Sequence, residues 1–282
     1  MTIDYERTAA RVVEQALKFR RDNDALSWDA KIDDLISLLG FSQESYRATP
    51  SIANVDWITS AVRDARKPGV KALVSVKHEV ILVASDLSLP KVPFAKAHEL
   101  GHAVLPWHRE ILTFVCNEFD LTPSAQAELE FEANRFAAEV LVPPQLLAPI
   151  YATEPTSLST VFKIKHLSGA SFETSAVAYV RNHPGVCALV WLKDIDPDPN
   201  NIVTDETMLL RVTRKQLSNA ASKTPLWGFD NSQTIPRGHV VYQASRDMGP
   251  PSEVEVTYEA QRYAASVMNN SYSVLCLMSE KK

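Results

Sequence analysis

Residues 94–105 read FAKAHELGHAVL, and the spacing within this stretch decides how the first half of the chain is expected to fold. Pro90 and Pro93 close the segment before it and Pro106 interrupts it afterwards, which predicts a helix from near Phe94 up to that break. Residues four apart on a helix are surface neighbours. His98 and His102 therefore present both imidazoles to one side and can chelate a single ion at about 2.0–2.1 Å. Glu99 is rotated by about 100° from His98. From there its carboxylate can reach a water beside the ion, whose pKa zinc lowers towards about 7, and take the proton as a general base. Gly101 leaves room for a second element to approach the helix closely.

A catalytic zinc keeps three protein ligands and an open position, so a third donor is needed. Thr122 is a suitable N-cap, Pro123 fits the first helical position and Pro143-Pro144 stops the run, which predicts a second helix over residues 123–141. At about 100° per residue, Glu128, Glu132, Arg135 and Glu139 share one face, which reads as the solvated charged face. Glu130 lies opposite them, on a stripe with Ala133, Asn134, Ala137 and Leu141. A carboxylate among small and apolar residues needs a cation or metal as partner, which makes Glu130 the first choice for third ligand and Glu132 the next. Asn134, one turn onward, is placed to orient a ligand through a hydrogen bond. His108 is the rival, because His98, His102 and His108 have the spacing of HExxHxxGxxH; Leu105, however, stands where that pattern needs a glycine's left-handed freedom. Two histidines and one glutamate with an open site suit zinc, one ion per chain.

Upstream, VKALVSVKHEVILVAS (residues 70–85) has two β-branched strands about a Lys77-His78-Glu79 turn, a hairpin signature that leads into the HELGH helix. Earlier still, apolar Ala9, Val12, Val13 and Ala16, and then Ala30, Ile32, Leu35, Ile36 and Leu39, recur at helical spacing before Gly40 stops the pattern. Downstream, residues 158–165 and 172–181 read as a helical pair. After Asn182-His183-Pro184-Gly185 the character changes: VCALVWL, TMLLRV, HVVYQA, SEVEVTYE and SYSVLCLM read as strands between turn-rich segments. The expected class is α+β, with one domain over residues 1–182 and a β-rich C-terminal domain over 183–282. No internal repeat or low-complexity segment interrupts them.

A chain of 282 residues is long enough for two such domains, and 45% apolar with 22% charged residues is ordinary for a globular protein. The formal charge of −5 gives no global attraction to nucleic acid or anionic lipid. The start, MTIDYERTAARVVEQ, lacks the apolar core of a signal peptide, and no apolar run reaches the ~18–20 residues of a membrane span, so a cytoplasmic protein is expected. Cys116, Cys187 and Cys276 are far apart and form no CxxC pair, which argues against a disulfide scaffold or a cysteine zinc site and leaves them as small buried hydrophobes.

AHELGHAVL after a strand hairpin, followed by ELEFEANRFAAEVLVP, resembles the ImmA/IrrE-type metallopeptidases, whose second helix carries E-x-E-A-N-x-F-A-A-x-L-L-x-P. The likeness covers roughly residues 70–181 and departs from the common pattern at Val140, Val142 and Pro144, away from the expected ligands. It implies a minimal gluzincin-like, zincin-fold peptidase domain with His98, His102 and Glu130 on the zinc and Glu99 as base. It also implies a protein substrate, since relatives cleave helix-turn-helix repressors and so relieve repression in mobile elements or stress responses. Some members carry a sensor-like α+β domain after the peptidase, which fits the β-rich residues 183–282. Tyr151 and His166 are the candidates for stabilising an oxyanion. A different class of function is a regulatory DNA- or protein-binding module in which the zinc is structural or inactive. Lys163, Lys165, His166 and Arg181 are sparse for phosphate tracking, and a structural zinc would not need Glu99 beside its ligands.

Overall fold

The run VILVA is apolar at every position, and as strand Val80–Ala84 it is buried at every position, as a strand covered on both faces must be. The computed structural model in which this is seen describes residues 11–19 (13 and 17 apart), 31–46, 72–114, 122–195, 209–222, 234–258 and 261–280. Its contacts divide the chain into two units, Met1–Leu146 with Leu167–Thr174, and Leu147–His166 with Ser175–Lys282. The fold is α+β. The sequence suggests a break at 182/183, whereas the contacts group residues 147–166 and 175–182 with the unit that contains the later strands.

In the first unit, residues 11–19 are helical where described, and they bury Val12, Ala16 and Phe19. Helix α1 (Ile32–Leu38) buries Ile32, Leu35 and Ile36 and ends before Gly40, whose φ of +78° is comfortable only for glycine. Strands β1 (Ser42–Tyr46), β2 (Ala72–Ser75) and β3 (Val80–Ala84) form a sheet of order β1-β3-β2. The β2–β3 pair is the expected hairpin, antiparallel and turning through Glu79 at φ 52°, while β1 runs parallel to β3.

A 3-10 turn at Leu89–Lys91 leads into helix α2 (Val92–Val104), with Pro93 in its first turn, where the missing N–H costs no hydrogen bond. Leu105 then becomes extended (φ −66°, ψ 116°), as the residue before Pro106 should. Pro106 does not end helical structure there; it starts helix α3 (Pro106–Phe114). Helix α4 (Pro123–Leu141) begins as expected, with Thr122 Oγ1 accepting from the Ala125 amide at 3.3 Å. It crosses α2 at Gly101, where an added Cβ would lie 3.3 Å from the Ala133 Cα and 3.1 Å from Phe136 Cδ1. Ala97, Leu100, Ala133, Phe136 and Ala137 are fully buried around this crossing, and the Phe19 ring stands 5.9 Å from that of Phe136.

The second unit contains helix α5 (Pro144–Thr153) from Leu147 onward, most of helices α6 (Leu158–Ser168) and α7 (Phe172–Arg181), and the large sheet. Strands β4 (Cys187–Ile195), β5 (Leu209–Leu217), β6 (Thr234–Pro236), β7 (Ser252–Tyr258), β8 (Gln261–Asn269) and β9 (Val274–Glu280) are all antiparallel, in the order β6-β5-β4-β9-β8-β7. Short helices α8 (Asn219–Ser222) and α9 (Val240–Ala244) complete it. The stretch HVVYQA, expected as a strand, is α9: His239 caps it through Nδ1, and Val241 and Tyr242 pack into the core with Val190, Val212 and Val267. Three apolar or aromatic residues in a row, Val240 to Tyr242, do not distinguish strand from helix, and here the cap decides. Strand β8 escaped sequence reading because Ala264, Ala265 and Ser266 dilute its β-branched signal. Cys187 and Cys276 are buried free thiols, and burial pushes the Cys276 thiol up to about 12; Cys116 lies outside the described residues. Among the described residues no helix is long and apolar enough to cross a membrane.

Candidate metal centre

The four-residue spacing on α2 puts the two imidazoles side by side, with Nε2 of His98 and Nε2 of His102 3.2 Å apart. Because α4 crosses at Gly101, Glu130 in its second turn meets them: its Oε2 is 3.3 Å from His98 Nε2 and its Oε1 3.6 Å from His102 Nε2. Two donors about 2.05 Å from one ion at a tetrahedral angle are separated by roughly 3.3 Å. The triangle of donor atoms therefore fits a small ion with tetrahedral preference, and the three donors are of the histidine and carboxylate types zinc takes.

Each ring is held at its other nitrogen. His98 Nδ1 lies 3.1 Å from Asn134 Oδ1, so the amide oxygen accepts the Nδ1 proton and leaves the Nε2 lone pair directed at the triangle. Asn134 reaches His98 because it sits one turn beyond Glu130 on α4. His102 Nδ1 lies 3.0 Å from Nδ1 of His108, whose Nε2 is 2.6 Å from Glu132 Oε2; Trp107 Nε1–H donates to the same oxygen at 2.6 Å. Glu99 is almost completely buried beside His98 on α2.

Charge follows this geometry. Burial alone would lower the His98 pKa, but its hydrogen bond to Glu130 and the charges of Glu99 and Glu130 outweigh it, and the net shift is upward. At His102 burial dominates, helped by the neighbouring histidines, and the pKa falls. The His102 and His98 imidazoles that face it hold the Glu130 carboxyl far below the usual carboxylate range. Tyr46, at the end of β1, is shifted up by burial first and then by the charges of Asp86 and Glu99, which places the Glu99 charge close to that strand end.

Three expectations about faces are corrected. Ala133, Ala137 and Leu141 of the Glu130 stripe are buried, but Glu130 itself is not: its side chain is 52% exposed, whereas that of Glu132 is 3% exposed. Glu132 and Glu139 are buried on the face expected to be solvated, Glu132 against His108 and Trp107, Glu139 in an ion pair with Arg135 at 2.9 Å. The 100° rule grouped these residues correctly and assigned the group the wrong side, because a buried carboxylate with hydrogen-bonded partners reads in sequence like a solvated one. His108 is neither exposed nor within the triangle; it backs His102 from inside. Trp107 was not foreseen, and reading Pro106 as the start of a helix is the signal that would have placed it. Tyr151 is committed elsewhere, its hydroxyl donating to the Tyr179 carbonyl at 2.7 Å within the second unit.

In this α+β protein the HExxH helix is thus crossed at a glycine by a glutamate-bearing helix. Residues 54–178 match the family model Peptidase_M78, the IrrE N-terminal-like domain. A solved Mycobacterium tuberculosis transcriptional regulator is similar in fold, at TM-score 0.55 and 15% identity, over 98% of this chain and 78% of its own. No curated protein sequence gives a significant match.

Proposed function

We propose that the chain is a zinc-dependent peptidase in which His98, His102 and Glu130 hold one ion and Glu99 is the general base. The observation that carries this reading is the donor triangle, with edges of 3.2, 3.3 and 3.6 Å, set beside a buried glutamate on the same helix. Zinc, when bound, supplies a water of lowered pKa and polarises the scissile carbonyl. Glu99 accepts the proton of the attacking water at a carboxylate oxygen and returns it to the departing amide nitrogen. Asn134 keeps His98 in the tautomer whose Nε2 is free to ligate. The exposed side of Glu130 leaves the site open to a polypeptide from solvent.

The substrate class that fits best is a helix-turn-helix transcriptional repressor, supported by the IrrE-like domain and by a structural neighbour that is itself a transcriptional regulator. This reading places the protein in the cytoplasm and gives the β-rich residues 183–282 a sensory or regulatory role. The same neighbour also favours a second reading, a regulatory protein whose zinc is structural. Co-expression of wild type or Glu99→Gln with repressors encoded beside the gene, followed by intact-mass analysis, separates the two. Cleavage by wild type and none by Glu99→Gln, with zinc retained in both, is expected of a peptidase. No cleavage of any repressor by wild type leaves the structural-zinc reading standing.

A further inference from the structure

We propose that His108 and Glu132 form a buried positioning relay that fixes the tautomer of His102 and thereby sets zinc affinity; this rests on the zinc reading above. His108 is 0% exposed, and its two ring nitrogens bridge His102 and Glu132 at 3.0 and 2.6 Å. An ionised carboxylate can only accept, so His108 Nε2 carries the proton given to Glu132 Oε2. In a neutral ring Nδ1 is then the acceptor. Facing it, Nδ1 of His102 must be the donor, and the remaining lone pair of His102 is on Nε2, directed at His98 Nε2 and Glu130. The chain of donors thus selects the one tautomer of His102 that can ligate through the nitrogen in the triangle.

Glu132 is itself pinned. Trp107 Nε1–H donates to Oε2, and the Arg11 guanidinium stands 3.6 Å from Oε1 and 3.5 Å above the Trp107 ring. These contacts occupy both oxygens of Glu132, Oε2 with His108 and Trp107 and Oε1 with Arg11, which is why it supports a ligand instead of being one. Packing alone does not account for the arrangement, because an apolar residue at position 108 would fill a buried site without needing a partner. The opposite ligand is treated the same way, Asn134 performing for His98 what His108 and Glu132 perform for His102. Arg11 links the relay to the helical residues 11–19, so the start of the chain bears on the metal through three side chains.

The test measures zinc affinity of the full chain at neutral pH by competition with a chromophoric chelator, together with the visible absorption of the cobalt-substituted protein. Thermal unfolding of the metal-free chain reports structural damage separately. His108→Leu is expected to bind zinc about 10- to 100-fold more weakly and to alter the cobalt spectrum. His108→Gln should return affinity to within about threefold of wild type, because its amide oxygen can accept from His102 while its NH2 donates to Glu132. Should His108→Leu fail to fold, Glu132→Gln carries the test, with an expected loss of about tenfold. Wild-type affinity in His108→Leu, or equal losses in the leucine and glutamine variants, overturns the relay while the zinc site stands. A wild-type chain that takes up no zinc overturns the zinc reading, and the relay with it.

Discussion

Substituting Gly101 tests whether the closeness of α2 and α4 is what assembles the candidate site. Alanine gains about 0.8–1 kcal/mol of helix propensity over glycine. Against that, its Cβ would sit 3.1 Å from Phe136 Cδ1 and 3.3 Å from both Phe136 Cβ and the Ala133 Cα. Phe136 is fully buried and the Ala133 contact is backbone, so neither neighbour yields without moving the helix. Overpacking of this kind costs about 1–3 kcal/mol, so Gly101→Ala is expected to be destabilised by roughly 0–2 kcal/mol. Gly101→Val adds two more carbons and a β-branched side chain, and a loss of about 3 kcal/mol or more is expected. Any widening also moves Glu130 from His98 and His102, and metal sites tolerate only about ±0.2 Å. Both variants should therefore lose zinc affinity, valine more. Urea unfolding of the metal-free protein followed by circular dichroism gives the stabilities, and chelator competition gives the affinities. A Gly101→Val protein with wild-type midpoint and wild-type zinc affinity would refute the argument.

Zinc affinity should fall as pH falls from 8 to 6: the His98 pKa is raised, so its ring holds a proton at higher pH than a free imidazole, and zinc must displace it. Glu130, held far below the usual carboxylate range, stays ionised throughout and adds nothing to that slope; calorimetry in buffers of different ionisation enthalpy should register proton release on binding near pH 6, and its absence would contradict the assignment. In the metal-free chain the sign reverses for His98, whose stabilising contribution is present below its unfolded pKa and lost as pH rises through the raised folded value. Thr122→Ala removes the Oγ1 that caps α4 and should lower the urea-derived stability by about 1 kcal/mol; no change would show that cap to be idle. In a Cys116→Ser background, Cys187 and Cys276 should resist a thiol-specific chromogenic reagent in native protein and react fully once it is unfolded.

The parts of the fold carried by local rules were legible. Thr122-Pro123 announced α4, the β-branched runs about Lys77-His78-Glu79 announced the β2–β3 hairpin, and Gly101 announced the crossing. Prolines misled where they begin helices: Pro106 and Pro144 were read as breaks, yet each is the first residue of a helix, where no N–H is missed. The candidate ligands were named from spacing, but the burial argument offered for Glu130 does not hold. Register places it beside His98 and His102, and it is half exposed there. The relay through His108 and Glu132 was out of reach, because it depends on α3 folding back so that Trp107 and His108 meet α4. Sequence marks no such long-range contact; it showed only a histidine at the spacing of a pattern whose glycine is replaced by Leu105, and a glutamate on a face that reads as solvated.

The most direct test of the central claim is anomalous diffraction at the zinc edge from crystals of the zinc-loaded chain. One strong peak is expected, about 2.0–2.1 Å from Nε2 of His98, from Nε2 of His102 and from a carboxylate oxygen of Glu130, with Glu99, His108 and Glu132 outside bonding distance. A peak ligated by His108 or Glu132, or no peak between α2 and α4 at full zinc loading, would contradict the assignment.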